Sequence, residues 1–250
     1  MRKVRLKRDL SLLDATLYGV GIILGAGIYA LIGHAAGLTG NSLWISFILA
    51  AIISSFTGLS YAELSTIFPK EAAEYVYVRN AFNEMLAFLV GWIILVSNVV
   101  AAATLALGFA GYFNAMFGTN PLLVAVTSVV LLSLLNFYGI KESARLNAVF
   151  TLIEISGLLL IIFLGLPKVK DINPFEAVNG MRGVLLATSF IFFAYIGFED
   201  VANLAEEVKN PKRNLPLSLL LSILITTILY VLTSISAVAL ADWRELAVSN

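Results

Sequence analysis

Long apolar runs with almost no charged residues occupy most of this 250-residue chain. An α-helix needs about 20 consecutive apolar residues to cross the hydrocarbon core of a bilayer. Short stretches rich in Gly, Pro, Asn and Lys separate the runs, as turns between helices do. The sequence therefore predicts an all-α integral membrane protein. We place seven spans at Leu12–Ile32, Leu43–Phe68, Met85–Phe113, Leu122–Phe137, Leu146–Leu166, Val184–Ala205 and Leu217–Leu240.

Lysine and arginine residues are concentrated in alternate loops. Twelve of the 16 lie before the first span or in the second, fourth and sixth loops, and four lie in the fifth loop or after the last span. The positive-inside rule then places the N-terminus in the cytoplasm and the protein in the cell membrane. We expect a basic cytoplasmic N-terminus (1–11), spans one to five (12–166), an extracellular linker (167–183), spans six and seven (184–240) and an extracellular end (241–250).

Composition argues against several kinds of chemistry. The chain has no cysteine and one histidine, His34, so we expect no disulfide, no thiol or histidine catalysis and no histidine-based metal site. The formal net charge is zero, which gives no indication of nucleic-acid binding. We therefore predict that the protein is not an enzyme and holds no cofactor or metal.

Glycines interrupt two of the predicted spans. Gly25, Ala26 and Gly27 lie near the middle of the first span, and Gly197 lies at the centre of Phe192–Asp200 in the sixth. Unwound backbone leaves N–H and C=O groups unpaired in hydrocarbon, so it persists where it lines a cavity or binds a ligand. Two such spans at corresponding places indicate a transporter site near the bilayer midplane. The alternative is that the glycines are small-residue packing positions.

The two interruptions offer complementary polar groups. A helix that starts after Gly27 would direct free N–H groups and its positive dipole end at an anion. The carbonyls of Phe193, Ala194 and Ile196 would accept hydrogen bonds from a cation. A free α-amino acid carries both charges, and we predict it as the substrate. A polyamine or another amine is an alternative that would leave the donors after Gly27 unused.

Three stretches carry a family resemblance: GVGIILGAGIYALIG from Gly19, YAELSTIFPKEAAEYVYVRNAFNEMLAFLVGW from Tyr61, and FFAYIGFEDVANLAEEVKNPKRNLP from Phe192. The chain resembles the amino acid–polyamine–organocation (APC) superfamily and is similar to its cationic amino acid transporter group. The resemblance implies a LeuT-like fold, in which spans one to five form a first repeat and spans six and seven begin an inverted second repeat. It also implies a carboxylate site at Ile23, Gly25, Ala26 and Gly27, an amino-group site at Phe193, Ala194 and Ile196, and a side-chain pocket shaped by Phe198.

The chain also departs from the family pattern. KEAAE stands where the family has paired glycines after a proline, and AFNE replaces Ala-Phe-Gly-Glu. The family's second repeat runs through a tenth helix, whereas seven spans are predicted here. We expect the remaining helices to belong to a longer protein. The alternatives are assembly of two copies, or a non-transporting remnant that acts as a scaffold or receptor.

Three acidic residues are candidates for coupling and for the exit path. Glu154 lies inside the fifth span, where a charge costs about 2.5–3.5 kcal/mol on insertion scales and usually faces a cavity. In proton-coupled relatives the resemblance places a lysine at this position, and we predict that protonation of Glu154 is coupled to substrate movement. The alternative is a neutral carboxyl hydrogen-bonded to a carbonyl. Glu199 and Asp200 either line a cytoplasmic pathway or, for Glu199, stabilise the N-terminus of a half-helix.

The predicted function is secondary active transport of amino acids by alternating access. The expected partners are the amino acid and the lipid bilayer, and no nucleic acid is expected. The predicted driving ion is H⁺. Na⁺ is an alternative, because the hydroxyls of the family's sodium site belong to a helix beyond the seven predicted. The particular amino acid, the choice among symport, antiport and uniport, and the oligomeric state stay open.

Overall fold

The structure is a computed structural model that describes residues 8–25, 27–68, 70, 73–138 and 140–248. Within these ranges the chain forms α-helices joined by turns and short 3₁₀ segments. The α-helices are α1 (Leu12–Ile23), α2 (Gly27–Thr39), α3 (Leu43–Ile67), α4 (Ala73–Ala81), α5 (Glu84–Phe117), α6 (Pro121–Tyr138), α7 (Ile140–Gly165), α8 (Gly180–Ile191), α9 (Asp200–Asn203), α10 (Pro211–Leu240) and α11 (Trp243–Val248). The 3₁₀ segments are Gly40–Ser42, Leu166–Asp171, Phe192–Tyr195 and Leu204–Glu206.

Five stretches of the described chain are long and apolar enough to cross a membrane: Gly27–Ile67, Glu84–Phe117, Val149–Asp171, Gly180–Glu206 and Pro211–Leu240. Two shorter apolar helices are Leu12–Ile23 and Pro121–Phe137. The prediction of an all-α membrane protein is confirmed at this level. The bounds differ most at the first predicted span, Leu12–Ile32, which is divided between α1 and α2. The helix α2 also continues to Thr39, beyond the predicted end.

Local sequence signals set several helix ends. At the start of α1, the Ser11 hydroxyl accepts from the Asp14 backbone N–H at 3.2 Å, and the Asp14 carboxylate accepts from the Ser11 N–H at 2.8 Å. This reciprocal pair is a capping box. Asn83 caps α5 by accepting from the Leu86 N–H at 2.9 Å. Gly118, with φ of 65°, ends α5 in the left-handed conformation that glycine adopts without strain.

The helix α10 lies at the centre of the described fold and packs on α1, α3 and α7. Small and hydroxyl-bearing side chains let these helices approach closely. The Ser222 hydroxyl donates to the carbonyl of Thr16 in α1 at 3.0 Å. A methyl group at Gly58 of α3 would lie 2.7 Å from Leu219 Cδ2, so a larger residue there would require the side chains of α10 to shift. The contacts of α10 therefore hold the two ends of the described chain together.

A backbone pairing fixes the residues that precede α1. The Leu10 N–H donates to the Glu207 carbonyl at 3.1 Å, and the Lys209 N–H donates to the Leu10 carbonyl at 2.8 Å. These bonds form an isolated parallel bridge between Leu10 and Val208. The start of α1 is therefore attached to the segment that leads into α10.

The helices α5 and α6 form the outer part of the described fold. Within α5, which the structure describes in full, Ala87 and Ala110 are the buried side chains. Large apolar side chains such as Trp92 and Phe109 are more than half exposed. A surface of this kind suits contact with lipid or with further helices and not with water.

Candidate functional site

Two interruptions of helical structure face each other at the centre of the fold. The first junction is the end of α1 and the start of α2, for which the structure describes residues 22–25 and 27, and the second junction is residues 192–199, between α8 and α9. A methyl group at Gly27 would lie 2.8 Å from the Cα of Ala194, and one at Gly197 would lie 2.6 Å from Ile22 Cγ2. The two junctions are therefore in direct contact at two points.

Glycine is required at both contacts for physical reasons. At Gly27 the first turn of α2 presses against backbone of the second junction, and no side chain fits between them. Gly197 has φ of +118°, a conformation that other residues adopt only with strain. The sequence analysis identified both residues, and the structure gives each a steric reason.

The first junction brings helix ends and carbonyls to the site. The Leu24 N–H donates to the Val20 carbonyl at 2.9 Å, and the Gly25 N–H donates to the Ile23 carbonyl at 2.7 Å. Ala26, which we predicted in the carboxylate site, lies outside the described residues. The helix α2 begins at Gly27, and the start of a helix favours an anion through its dipole.

The second junction holds the carbonyls predicted to bind an amino group. The Phe193 carbonyl already accepts from the Ile196 N–H at 3.2 Å, and the Ala194 carbonyl accepts from the Tyr230 hydroxyl at 3.2 Å. Each carbonyl oxygen has a second lone pair for another donor. Ala194 and Phe198 are buried, whereas 46% of the Ile196 surface is exposed. The structure thus brings Ala194 against Gly27, while the side chain of Ile196 is not enclosed.

Sequence analysis missed Tyr230, which contacts both junctions. Its hydroxyl lies 2.7 Å from the carbonyl oxygen of Ile23 and 3.2 Å from that of Ala194, and both carbonyls accept from it. Tyr230 belongs to α10, and none of its surface is exposed. The available signal was a tyrosine in the middle of an apolar span, where a buried hydroxyl needs an acceptor.

Glu154 lies beside the first junction. The helix α7 contacts α1 where a methyl group at Gly21 would meet Thr151 Cγ2 at 3.4 Å. It contacts α2 where the Tyr29 hydroxyl donates to the Glu154 carbonyl at 2.9 Å. The same hydroxyl would lie 2.9 Å from a methyl group at Gly157. Because α1 ends and α2 begins between these two contacts, Glu154 is level with the first junction, and its side chain is partly buried.

Glu199 and Asp200 have different surroundings. The Glu199 carboxylate accepts from the Gly197 N–H at 2.9 Å, which satisfies one donor of the second junction. Asp200 is exposed and accepts from the Asn203 amide at 3.4 Å. Among the described residues, no three His, Asp or Glu side chains gather as a metal site would need.

The short helix α4 connects α3 to α9, the helix that follows the second junction. The Ala73 N–H donates to the Asn203 side-chain oxygen at 3.2 Å, and the Tyr61 hydroxyl donates to Glu74 at 3.1 Å. Burial raises the pKa of Tyr77 in α4 to about 12, so its hydroxyl stays protonated at neutral pH. These contacts hold α4 against the segment that follows Glu199.

The fold and the site together define a class of protein. Five helices of the described chain are able to cross a membrane, and the central site consists of backbone groups at two contacting junctions. This is a multi-pass membrane protein. A family model described as Amino acid permease matches residues 10–250. The chain belongs to this amino acid permease family of the APC superfamily, which confirms the resemblance stated above.

Several curated relatives are similar over most of the chain. The Methylthioribose transporter of Bacillus subtilis (strain 168) is 34% identical over 267 residues, which cover 98% of this chain and 58% of the relative. The Branched-chain amino acid permease BcaP of the same organism is 36% identical over 252 residues, 92% of this chain and 54% of the relative. Cationic amino acid transporter 9, chloroplastic, of Arabidopsis thaliana is 35% identical over 252 residues, 90% of this chain and 44% of the relative. The chain thus spans about half the length of these relatives.

Proposed function

We propose that the protein is a secondary active transporter that moves free amino acids across the cell membrane, with its N-terminus in the cytoplasm. The observation that carries the proposal is the contact of the two junctions, where the start of α2 at Gly27 lies against Ala194. The family and the names of the relatives support amino acids as the substrate class. Because the chain spans about half of those relatives, the activity is proposed for the whole protein.

The proposed site binds the two charges of the amino acid on opposite junctions. The carboxylate lies at the start of α2, on the backbone of Gly25 and Gly27 beside Ile23, where the helix dipole favours an anion. The ammonium group lies on the second junction, where it donates to the carbonyls of Ala194 and Ile196. The apolar side chain lies towards Phe198. No catalytic side chain is needed.

Helix pairing suggests how access would alternate. On one side of the two junctions α1 packs against α9, and on the other side α2 packs against α8. We propose that each pair moves as a unit, so that the site opens to one face of the membrane when α1 and α9 tilt and to the other when α2 and α8 tilt. In this scheme the pairs α1–α2 and α8–α9 are the two broken helices of a LeuT-like inverted repeat.

The first test is uptake by the purified protein in liposomes. Radiolabelled leucine is supplied outside, and the competitors are other amino acids, the amine that remains when leucine loses its carboxylate, and methylthioribose. The proposal predicts uptake that amino acids compete for and the amine does not. Equal competition by the amine would support the amine transporter. Absence of uptake, with no amino acid raising the melting temperature, would support the scaffold.

Methylthioribose is the second candidate substrate, because the name of one similar relative specifies it. This sugar derivative carries neither a carboxylate nor an ammonium group. It would therefore leave the polar groups of both junctions without charged partners. Unpaired buried polar groups cost free energy, so the site should bind methylthioribose more weakly than an amino acid. If methylthioribose blocked uptake and amino acids did not, the substrate class would be such sugar derivatives and not amino acids.

We further propose that H⁺ drives transport through Glu154. The support is that the backbone carbonyl of this residue accepts from Tyr29 of α2 and that its side chain is partly buried. With an inwardly directed proton gradient, Glu154→Gln should abolish gradient-driven uptake and leave exchange of internal for external leucine intact. The matched control is Glu245→Gln, an exposed carboxyl in α11. Gradient-driven uptake that survives Glu154→Gln would refute the coupling role. If uptake required a sodium gradient, the driving ion would be Na⁺ and not H⁺.

A further inference from the structure

Tyr230 joins the two junctions through one hydroxyl group. The Ile23 carbonyl, at the end of α1, lies 2.7 Å from it, and the Ala194 carbonyl, in the second junction, lies 3.2 Å from it. These acceptors are 207 and 36 residues away along the chain. A tyrosine hydroxyl has one proton to donate, so the two carbonyls share a single donor. The position of that hydroxyl therefore sets the spacing and direction of both carbonyls.

Packing holds the hydroxyl in place. The Tyr230 ring lies edge-on to Tyr195, with ring centroids 5.4 Å apart, and packs against Phe47 at 5.5 Å. All three side chains are fully buried. The ring therefore has little freedom to turn away, and the hydroxyl acts as a fixed element of the site.

We infer that Tyr230 is a positioning residue for recognition of the substrate's amino group. Its hydroxyl holds the Ala194 carbonyl in the direction from which the second lone pair accepts an ammonium N–H, and it ties that carbonyl to the end of α1. This inference rests on the proposed function, because it assigns the ammonium group to the second junction. Tyr230 acts through Ala194 and Ile23 and not by contact with the side chain of the substrate.

The consequence is selective for one part of the substrate. Without the hydroxyl, the carbonyls of Ala194 and Ile23 both lose this donor, and of the two we assign only Ala194 to the ammonium group. The backbone N–H groups proposed for the carboxylate make no bond to Tyr230. An amino acid should then lose affinity, while an analogue without the amino group should not. A general loosening of the fold would weaken both ligands alike.

Ser46 supplies a control outside both junctions. It is fully buried in α3, and its hydroxyl donates to the Val184 carbonyl of α8 at 3.0 Å. Both residues of this contact lie inside α-helices and not at a junction. Ser46→Ala and Tyr230→Phe therefore each remove a buried hydroxyl that donates to a backbone carbonyl of another segment, and they differ in whether that carbonyl belongs to a junction.

The experiment measures dissociation constants of the purified wild-type protein and of both variants by calorimetry. The two ligands are leucine and its α-hydroxy analogue, which keeps the carboxylate and the side chain. In wild type, leucine should bind at least about tenfold more tightly than the analogue. Tyr230→Phe should reduce this ratio about fivefold or more by weakening leucine alone, and Ser46→Ala should leave the ratio unchanged. Melting temperatures show that both variants fold.

Two results would overturn the inference, and each has a different meaning. If Tyr230→Phe weakens both ligands equally, or neither, the hydroxyl is structural and the proposed function stands. If wild type itself does not distinguish leucine from its α-hydroxy analogue, amino-group recognition is absent, and the inference fails together with the proposed site.

Discussion

At the scale of single residues, Gly27 carries one of the two close contacts between the junctions, the one made against backbone. A methyl group there would lie 2.8 Å from the Cα and 3.1 Å from the Cβ of Ala194. These are backbone and short side-chain atoms that cannot rotate away. Gly27→Ala should therefore separate the junctions and destabilise the protein by about 1–3 kcal/mol, the usual cost of overpacking. It should also weaken leucine binding.

The matched control is Gly108→Ala in α5, where no atom lies within 4 Å of the added methyl group. Alanine favours helix over glycine by about 1 kcal/mol, so this control should hold or raise the melting temperature. Melting temperatures in detergent and leucine dissociation constants distinguish the two variants. If Gly27→Ala behaved like Gly108→Ala, the close contact of the two junctions would be wrong.

At the residue scale, the importance of the two glycines could be predicted from the sequence, whereas that of Tyr230 could not. Gly27 and Gly197 were predicted to matter because glycine clusters in an apolar span are conspicuous without any knowledge of the fold. The role of Tyr230 depends on acceptors 207 and 36 residues away. Such a pairing follows from how α10 packs between α1 and the second junction, and no local pattern encodes it.

At the scale of helices, the start of α1 depends on a short local signal. The Ser11 hydroxyl and the Asp14 carboxylate cap each other's backbone N–H groups. Ser11→Ala removes one half of this capping box and should lower stability by about 1 kcal/mol. Ser60→Ala is the control, because this exposed hydroxyl only donates to the Phe56 carbonyl within its own helix at 3.4 Å. Thermal unfolding compares the two, and equal effects would contradict the capping role.

Helix ends with local signals were predictable, and those set by distant contacts were not. The predicted bounds of α3 agree with the structure to within one residue, since turn residues precede it. The extension of α2 to Thr39 was not predicted. There the Asn179 amide donates to the Leu38 carbonyl at 2.9 Å, and the Val178 N–H donates to the Thr39 carbonyl. Residues from the segment before α8 thus satisfy the last carbonyls of α2, which sequence alone does not show.

At the scale of the whole molecule, the inner and outer helices differ in what their surfaces require. The helix α10 is surrounded by α1, α3 and α7, whereas α5 and α6 expose most of their large apolar side chains. In a membrane, exposing these side chains carries no free-energy penalty, because lipid chains are as apolar as the side chains. The helices that form the two junctions therefore need protein neighbours for their polar backbone, while α5 and α6 do not.

The distribution of basic residues makes a prediction about the orientation of the whole molecule. This chain has no cysteine, so a single introduced cysteine reports its own position. Lys170 and Lys212 are both exposed, and the positive-inside rule places them on opposite sides of the membrane. A maleimide that does not cross membranes should label Lys170→Cys in intact cells. It should label Lys212→Cys only after the cells are permeabilised, because Lys212 lies in the first turn of α10, at the end proposed to be cytoplasmic. The reverse labelling pattern would mean that the orientation is opposite to the one proposed. Equal labelling of the two variants in intact cells would mean that the chain inserts in both directions.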